Sequence, residues 1–131
     1  MKFGKMVQCK IAIATNSLGK SAVGHDIIHK LRVAKAHGFE GVEVAIECLE
    51  AHAANFPGEH RASRLRAAAN DVFLVASGLS LSIIALNPFG AYDGLTNPLD
   101  IDSRLEEAEL WLQLCLLMRA PFFQVLYLPF A

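Results

Sequence analysis

The feature that most constrains this chain is a repeated alternation: short apolar runs begin near residues 11, 41, 81 and 122, and one helical pattern separates each from the next. Strands that alternate with helices in this way form parallel sheets. Crossovers between parallel strands are right-handed, so every strand's C-terminal end reaches the same rim. Ligands bind at that rim in closed barrels and in open sheets alike.

The first run is Lys10-Ile11-Ala12-Ile13-Ala14, closed by the polar Thr15-Asn16-Ser17-Leu18-Gly19. Asp26 is placed to cap a first helix in which Ile27, Ile28, Leu31 and Ala34 form the apolar stripe, Lys30, Arg32 and Lys35 take the other side, and Gly38 ends the helix. Gly41-Val42-Glu43-Val44-Ala45 is the second strand, and an irregular stretch with Pro57 and Gly58 follows it. Leu65, Ala68, Ala69, Val72, Phe73 and Ala76 then recur at helical spacing as far as Gly78. The third strand is Leu81-Ser82-Ile83-Ile84-Ala85-Leu86, ended by Asn87-Pro88 because proline cannot donate to a ladder. Ser103 and Glu106 have capping-box spacing ahead of a stripe of Leu105, Ala108, Leu112 and Cys115. Residues 122–128 form the fourth strand. The fold class expected is α/β, with four parallel strands and three helices in one domain spanning 1–131.

Composition narrows the function classes. Twelve Lys and Arg against thirteen Asp and Glu leave a formal net charge of −1, with no basic stripe for nucleic acid. Cys9, Cys48 and Cys115 are odd in number and far apart, which fits a reducing cytoplasm better than a disulfide framework or a zinc knuckle. No apolar run is long enough for a membrane span, and the first residues have no apolar signal segment.

The rim expected from the strand ends holds Thr15, Asn16 and Ser17, Glu43 and Glu47, Asn87 and Tyr92, and Gln124 and Tyr127. Glu43 is a carboxylate inside an apolar strand, which is costly to bury unless it meets a partner or a ligand; a solvated strand end is the plainer reading. Asn87 reads as a substrate contact or as ordinary Asn-Pro turn chemistry. Gln124 points into the barrel mouth or to solvent at an open edge. His25 and His29, four residues apart, mimic a metal pair, but no acid completes the set at ligand spacing, so solvated helix histidines are the better reading. His37, His52 and His60 lie in helix or loop contexts.

Gly38-Phe39-Glu40-Gly41-Val42-Glu43, Glu47-Cys48-Leu49-Glu50, Leu86-Asn87-Pro88-Phe89, Tyr92-Asp93-Gly94-Leu95 and Arg104-Leu105-Glu106-Glu107 fall in an order that resembles the fungal 3-dehydroshikimate dehydratases of quinate catabolism. Those enzymes belong to the xylose isomerase-like TIM-barrel superfamily. The resemblance runs from about Ile11 to Gln124 and departs after Glu43, where Ala45-Ile46-Glu47 replaces an aromatic and acidic stretch. It implies a partial (β/α) TIM barrel, the N-terminal half, from a lyase in which a divalent metal assists loss of water from 3-dehydroshikimate to give protocatechuate. The family's metal ligands and catalytic histidines come from later strands. No catalytic or metal residue is therefore carried onto this chain, and no cofactor is expected for it alone. Substrate contacts are expected at Asn16, Glu43, Asn87 and Gln124, with a small hydroxylated carbocycle or sugar as ligand. Four strands leave two open edges, so a homo-oligomer or an aggregate through those edges is expected, with Ile13, Val42, Ile84 and Val125 or their pleat neighbours partly wet. The alternatives are a non-enzymatic self-associating module and a complete open doubly wound sheet.

Overall fold

A computed structural model of the chain describes residues 9–126. Four strands, β1 (Ala12–Ala14), β2 (Gly41–Ala45), β3 (Ser82–Phe89) and β4 (Phe122–Val125), form one sheet in the order β1-β2-β3-β4, and every pair is parallel. The helices are α1 (Ile27–Ala36), α2 (Ile46–Ala53), α3 (Arg61–Gly78) and α4 (Pro98–Met118), with 3-10 turns at Thr15–Leu18 and Ser21–Val23. The sequential order, with no reordered strand, is that of an unclosed barrel arc and not of a doubly wound sheet.

The pleat decides which side chains meet the helices. Val42, Val44, Ile83 and Leu86 are buried with Leu31 of α1, Leu65 and Val72 of α3, and Leu114 of α4 in one core. The opposite face is left open at Ala12, Ile84, Phe122 and Gln124. A register shift between Val42 and Glu43 inserts Ile84 as an extra residue opposite β2, so Glu43 pairs with Ala85 and Ala45 with Asn87. Such a bulge re-aims the residues after it. Gly41 sits where the strands crowd: a Cβ there would lie 3.1 Å from the Ser82 carbonyl oxygen and 3.2 Å from Ile84 Cγ2.

Five expectations need correction. α2 stands in the stretch read as irregular, giving four α-helices among the described residues where three were expected. It follows β2 without a loop and has only eight residues, too short for its stripe of Cys48, Leu49 and Ala53 to announce itself beside Pro57 and Gly58. The last helix starts at Pro98, with Asn97 Oδ1 accepting from the Leu99 N–H at 3.0 Å, so the expected capping residue Ser103 lies inside it. Its buried face is Leu110, Trp111, Leu114, Cys115 and Met118, while Leu105 and Leu112 are exposed. α4 is leucine-rich on every side, and the stripe that wins carries Trp111, which packs edge-on against Phe89 and Phe123. β3 runs on through Pro88 to Phe89 because its pairing with β4 skips from Leu86 to Phe89, which leaves the proline out of the ladder. Lys30, assigned to the solvent side of α1, is buried.

Asp26 does cap α1, its Oδ1 accepting from the His29 N–H at 3.1 Å. Of the four strand positions expected to stay partly wet, Ile84 and Val125 are exposed and Ile13 is half-buried, whereas Val42 is fully buried beneath the helices. The segment 127–128 read as the end of the fourth strand lies outside the described residues. A clamp ties three helices together: the Arg61 guanidinium on α3 donates to Glu50 on α2 and, at 2.9 Å, to Glu107 on α4. Glu107 also accepts from Trp111 Nε1 at 3.1 Å.

Candidate functional site

Two of the expected contacts come together on the open face. Asn87 Nδ2 donates to Glu43 Oε2 at 2.9 Å across β2 and β3. The bulge makes this possible, since it sets Asn87 opposite Ala45, one inward-facing position beyond Glu43 toward the rim. Asn87 is buried and Glu43 half-buried. An ionised carboxylate only accepts, so the asparagine must present its amide nitrogen to it, and Glu43 Oε1 and Asn87 Oδ1 remain as acceptors. A paired acceptor set of this kind suits hydroxyl donors.

The other expected contacts stand apart. Asn16 is exposed in the 3-10 turn after β1, and Gln124 is exposed on β4; neither is a hydrogen-bond partner of Glu43 or Asn87. Glu47 is exposed on α2. Tyr92 stacks on Phe89 with ring centroids 6.3 Å apart, and Tyr127 lies outside the described residues. Thr15 is not a ligand contact: fully buried, its Oγ1 accepts from the Ala45 N–H at 2.9 Å and latches the end of β1 to the end of β2. His25 precedes α1, so it does not share a helix face with His29. His52 is not a solvated histidine, because its Nε2 lies 2.8 Å from Asp71 Oδ2 and its side chain is 11% exposed.

A cavity of about 500 Å³ lies elsewhere, between α4, β4 and the β3–α4 loop, lined by Phe89, Tyr92, Leu95, Arg104, Leu105 and Phe123 among others. It is an apolar gap beside the last strand, and the polar pair is not in it. Glu43 and Asn87 form a side-chain to side-chain hydrogen bond across two strands on the open sheet face, which makes them the candidate site. Among the described residues no three of His, Cys, Asp and Glu group as metal ligands.

Similarity to known proteins agrees with the fold. No family model matches the chain. Over 111 residues it is 32% identical to a 3-dehydroshikimate dehydratase of Neurospora crassa, covering 80% of this chain and 31% of that enzyme. A solved structure, described as a xylose isomerase-like TIM barrel/4-hydroxyphenylpyruvate dioxygenase fusion protein, superposes on 89% of the chain with a TM-score of 0.67 at 23% identity, using 16% of its own length. The chain is 3-dehydroshikimate dehydratase-like in sequence and xylose isomerase-like in fold. It spans about a third of the length of the curated relative it matches. The four parallel strands in sequential order are the corresponding part of such a barrel, unclosed. No helix of the described residues is long and apolar enough to cross a membrane.

Proposed function

We propose that this segment supplies the first four strands of a dehydratase-like or isomerase-like barrel whose full-length form acts on 3-dehydroshikimate. Its part is to hold substrate hydroxyls, and alone it does not turn over. The observation that carries this reading is the Glu43–Asn87 hydrogen bond at 2.9 Å on the open sheet face. Glu43 Oε1 and Asn87 Oδ1 accept from hydroxyls of a small carbocycle or sugar, and Asn16 in the turn after β1 and Gln124 on β4 flank them. The chemistry of a divalent metal, polarisation of a carbonyl oxygen and stabilisation of the negative charge that develops on it, belongs to the reaction of the complete barrel. Among the described residues the side chains do not fit such an ion, since Glu43 is engaged by Asn87 and no three-ligand group forms. No step through a metal is assigned to this chain. Its cysteine usage suits a cytoplasmic setting.

The test has two arms. The purified chain, given 3-dehydroshikimate with Mg²⁺, Mn²⁺ or Co²⁺, forms no protocatechuate above background. Residues 11–124 grafted in place of the matching segment of the Neurospora enzyme support turnover, and Glu43→Gln in the graft lowers kcat/KM by about 10-fold or more, the size of a lost charged hydrogen bond. Chelator-sensitive turnover by the chain alone, or a fully active Glu43→Gln graft, would refute it.

A second reading, self-association, is favoured by the exposed leucines of α4. Leu105, Leu112 and Leu116 are 63%, 54% and 79% exposed, and Phe122 on the edge strand is 69% exposed. A second copy covering them would supply the burial that a closed barrel provides.

A further inference from the structure

Lys30 is buried to 1% exposure on α1, and among the described residues no carboxylate lies within ion-pair distance of its Nζ. The nitrogen donates instead to Cys48 Sγ at 3.2 Å and to Ser21 Oγ at 3.3 Å. Burying an ammonium on two neutral partners is costly, and a methionine would fill the same volume without that cost. Cys48, at 1% exposure, is the first buried residue of α2. It shares a cavity of about 120 Å³ with Ser21, Asp26, His52 and Asn55, room for a molecule the size of hydrogen peroxide. The other cysteines differ. Cys9 is exposed, and Cys115 is held by the Phe122 carbonyl with its thiol pushed up by burial.

We propose that Cys48 and Lys30 form a peroxide-operated redox switch, in which oxidised Cys48 is captured by the lysine nitrogen as a sulfenamide. In the first step the Cys48 sulfur attacks hydrogen peroxide. An S–O bond forms, the O–O bond breaks, sulfur is oxidised by two electrons and the peroxide leaves as water. In the second step the Lys30 ammonium gives one proton to solvent, and its lone pair attacks the sulfenic sulfur. The N–S bond forms, the S–O bond breaks, and the departing hydroxide takes a further nitrogen proton to become water. The neutral sum is one thiol, one amine and one peroxide giving an S–N bridge and two waters. Sulfenic acids condense with nitrogen nucleophiles in this manner, and a pre-set contact of 3.2 Å removes most of the entropic barrier to it. The bridge would tie α1 to α2 directly beneath the rim turn that carries Ser21, so oxidation would stiffen one side of the mouth where Glu43 and Asn87 sit. A thiol reductant reverses it.

The experiment uses the whole chain with Cys9→Ser, which removes the exposed thiol, and treats it with a severalfold molar excess of hydrogen peroxide, enough for both the sulfenic and the sulfinic step, before peptide mapping by mass spectrometry. The expected product is a linked pair of peptides containing Lys30 and Cys48, lighter by two hydrogens than the pair unlinked. Trypsin no longer cleaves after Lys30, and dithiothreitol restores cleavage. Lys30→Met and Lys30→Arg give no linkage and carry Cys48 onward to sulfinic acid. Sulfinic acid at Cys48 with Lys30 free in the Lys30-containing chain, or no reaction at Cys48 while Lys30 stays cleavable, would overturn the proposal. Both readings come from that chain itself, so neither depends on a lysine variant folding.

Discussion

Replacing Thr15 with valine tests whether the rim is held by one hydrogen bond. Valine keeps the shape and β-branching of threonine but removes Oγ1, the acceptor for the Ala45 N–H at 2.9 Å. Thr15 is fully buried, as is Ala45, so water does not replace the lost partner. An orphaned buried N–H costs about 1–3 kcal/mol. With a urea dependence of about 1–3 kcal/mol per molar for a domain of this size, the midpoint should fall by roughly 1 M. Thr15→Ser keeps the acceptor and loses only a methyl group, about 1 kcal/mol or less. Hydrogen exchange localises the effect: the Ala45 amide should lose protection in the valine variant and keep it in the serine variant. If valine proves as stable as threonine and serine is the weaker of the two, the methyl packing and not the hydrogen bond secures the rim, and the latch is refuted.

Three further outcomes are expected. Asn87→Asp sets a second carboxylate against Glu43, so at least one of the pair titrates above its unfolded value; the urea-midpoint deficit relative to the native chain should be largest at pH 7 and shrink on acidification toward pH 5, and a pH-independent deficit would count against the pairing. The hydrogen bond from Arg61 holds the Glu107 carboxyl below its ordinary value, so its contribution is present above the unfolded pKa, about 4.3, and is lost as pH falls through the folded value. Glu107→Gln should therefore flatten the acid limb of the stability profile and cost less than about 1 kcal/mol at neutral pH, since Arg61 is nearly half exposed; an unchanged acid limb would show the clamp to be idle. Light scattering should find a dimer or larger species that Leu112→Lys with Leu116→Lys shifts toward monomer, and a monodisperse native monomer with a concentration-independent melt would remove the self-association reading.

What could be read directly from the residues was whatever short-range patterning dictates. β2 was legible to the residue, because Gly41 and Ala45 bound an apolar run after a short turn. α1, with its Asp26 cap, and the stripe of α3 were legible for the same reason: period and cap lie within a few residues of each other. Parallel pairing and the shared rim followed from the alternation of strands and helices.

Tertiary structure decided the remainder, because each point turns on a partner far away in the chain. α4 offers several apolar stripes, and only the positions of Phe89 and Phe123 select the one with Trp111. The bulge at Ile84 is set by how β2 and β3 meet, and it alone brings Asn87 to Glu43, 44 positions apart. Thr15 looked like a rim ligand until the Ala45 N–H, 30 residues on, proved to be its partner. Lys30 followed the charged side of its helix by composition, yet α2 packs over it, so the nitrogen ends against the Cys48 sulfur. A helical pattern ranks its own faces by hydropathy; which face is covered depends on the neighbour that arrives, and local sequence carries no term for that neighbour.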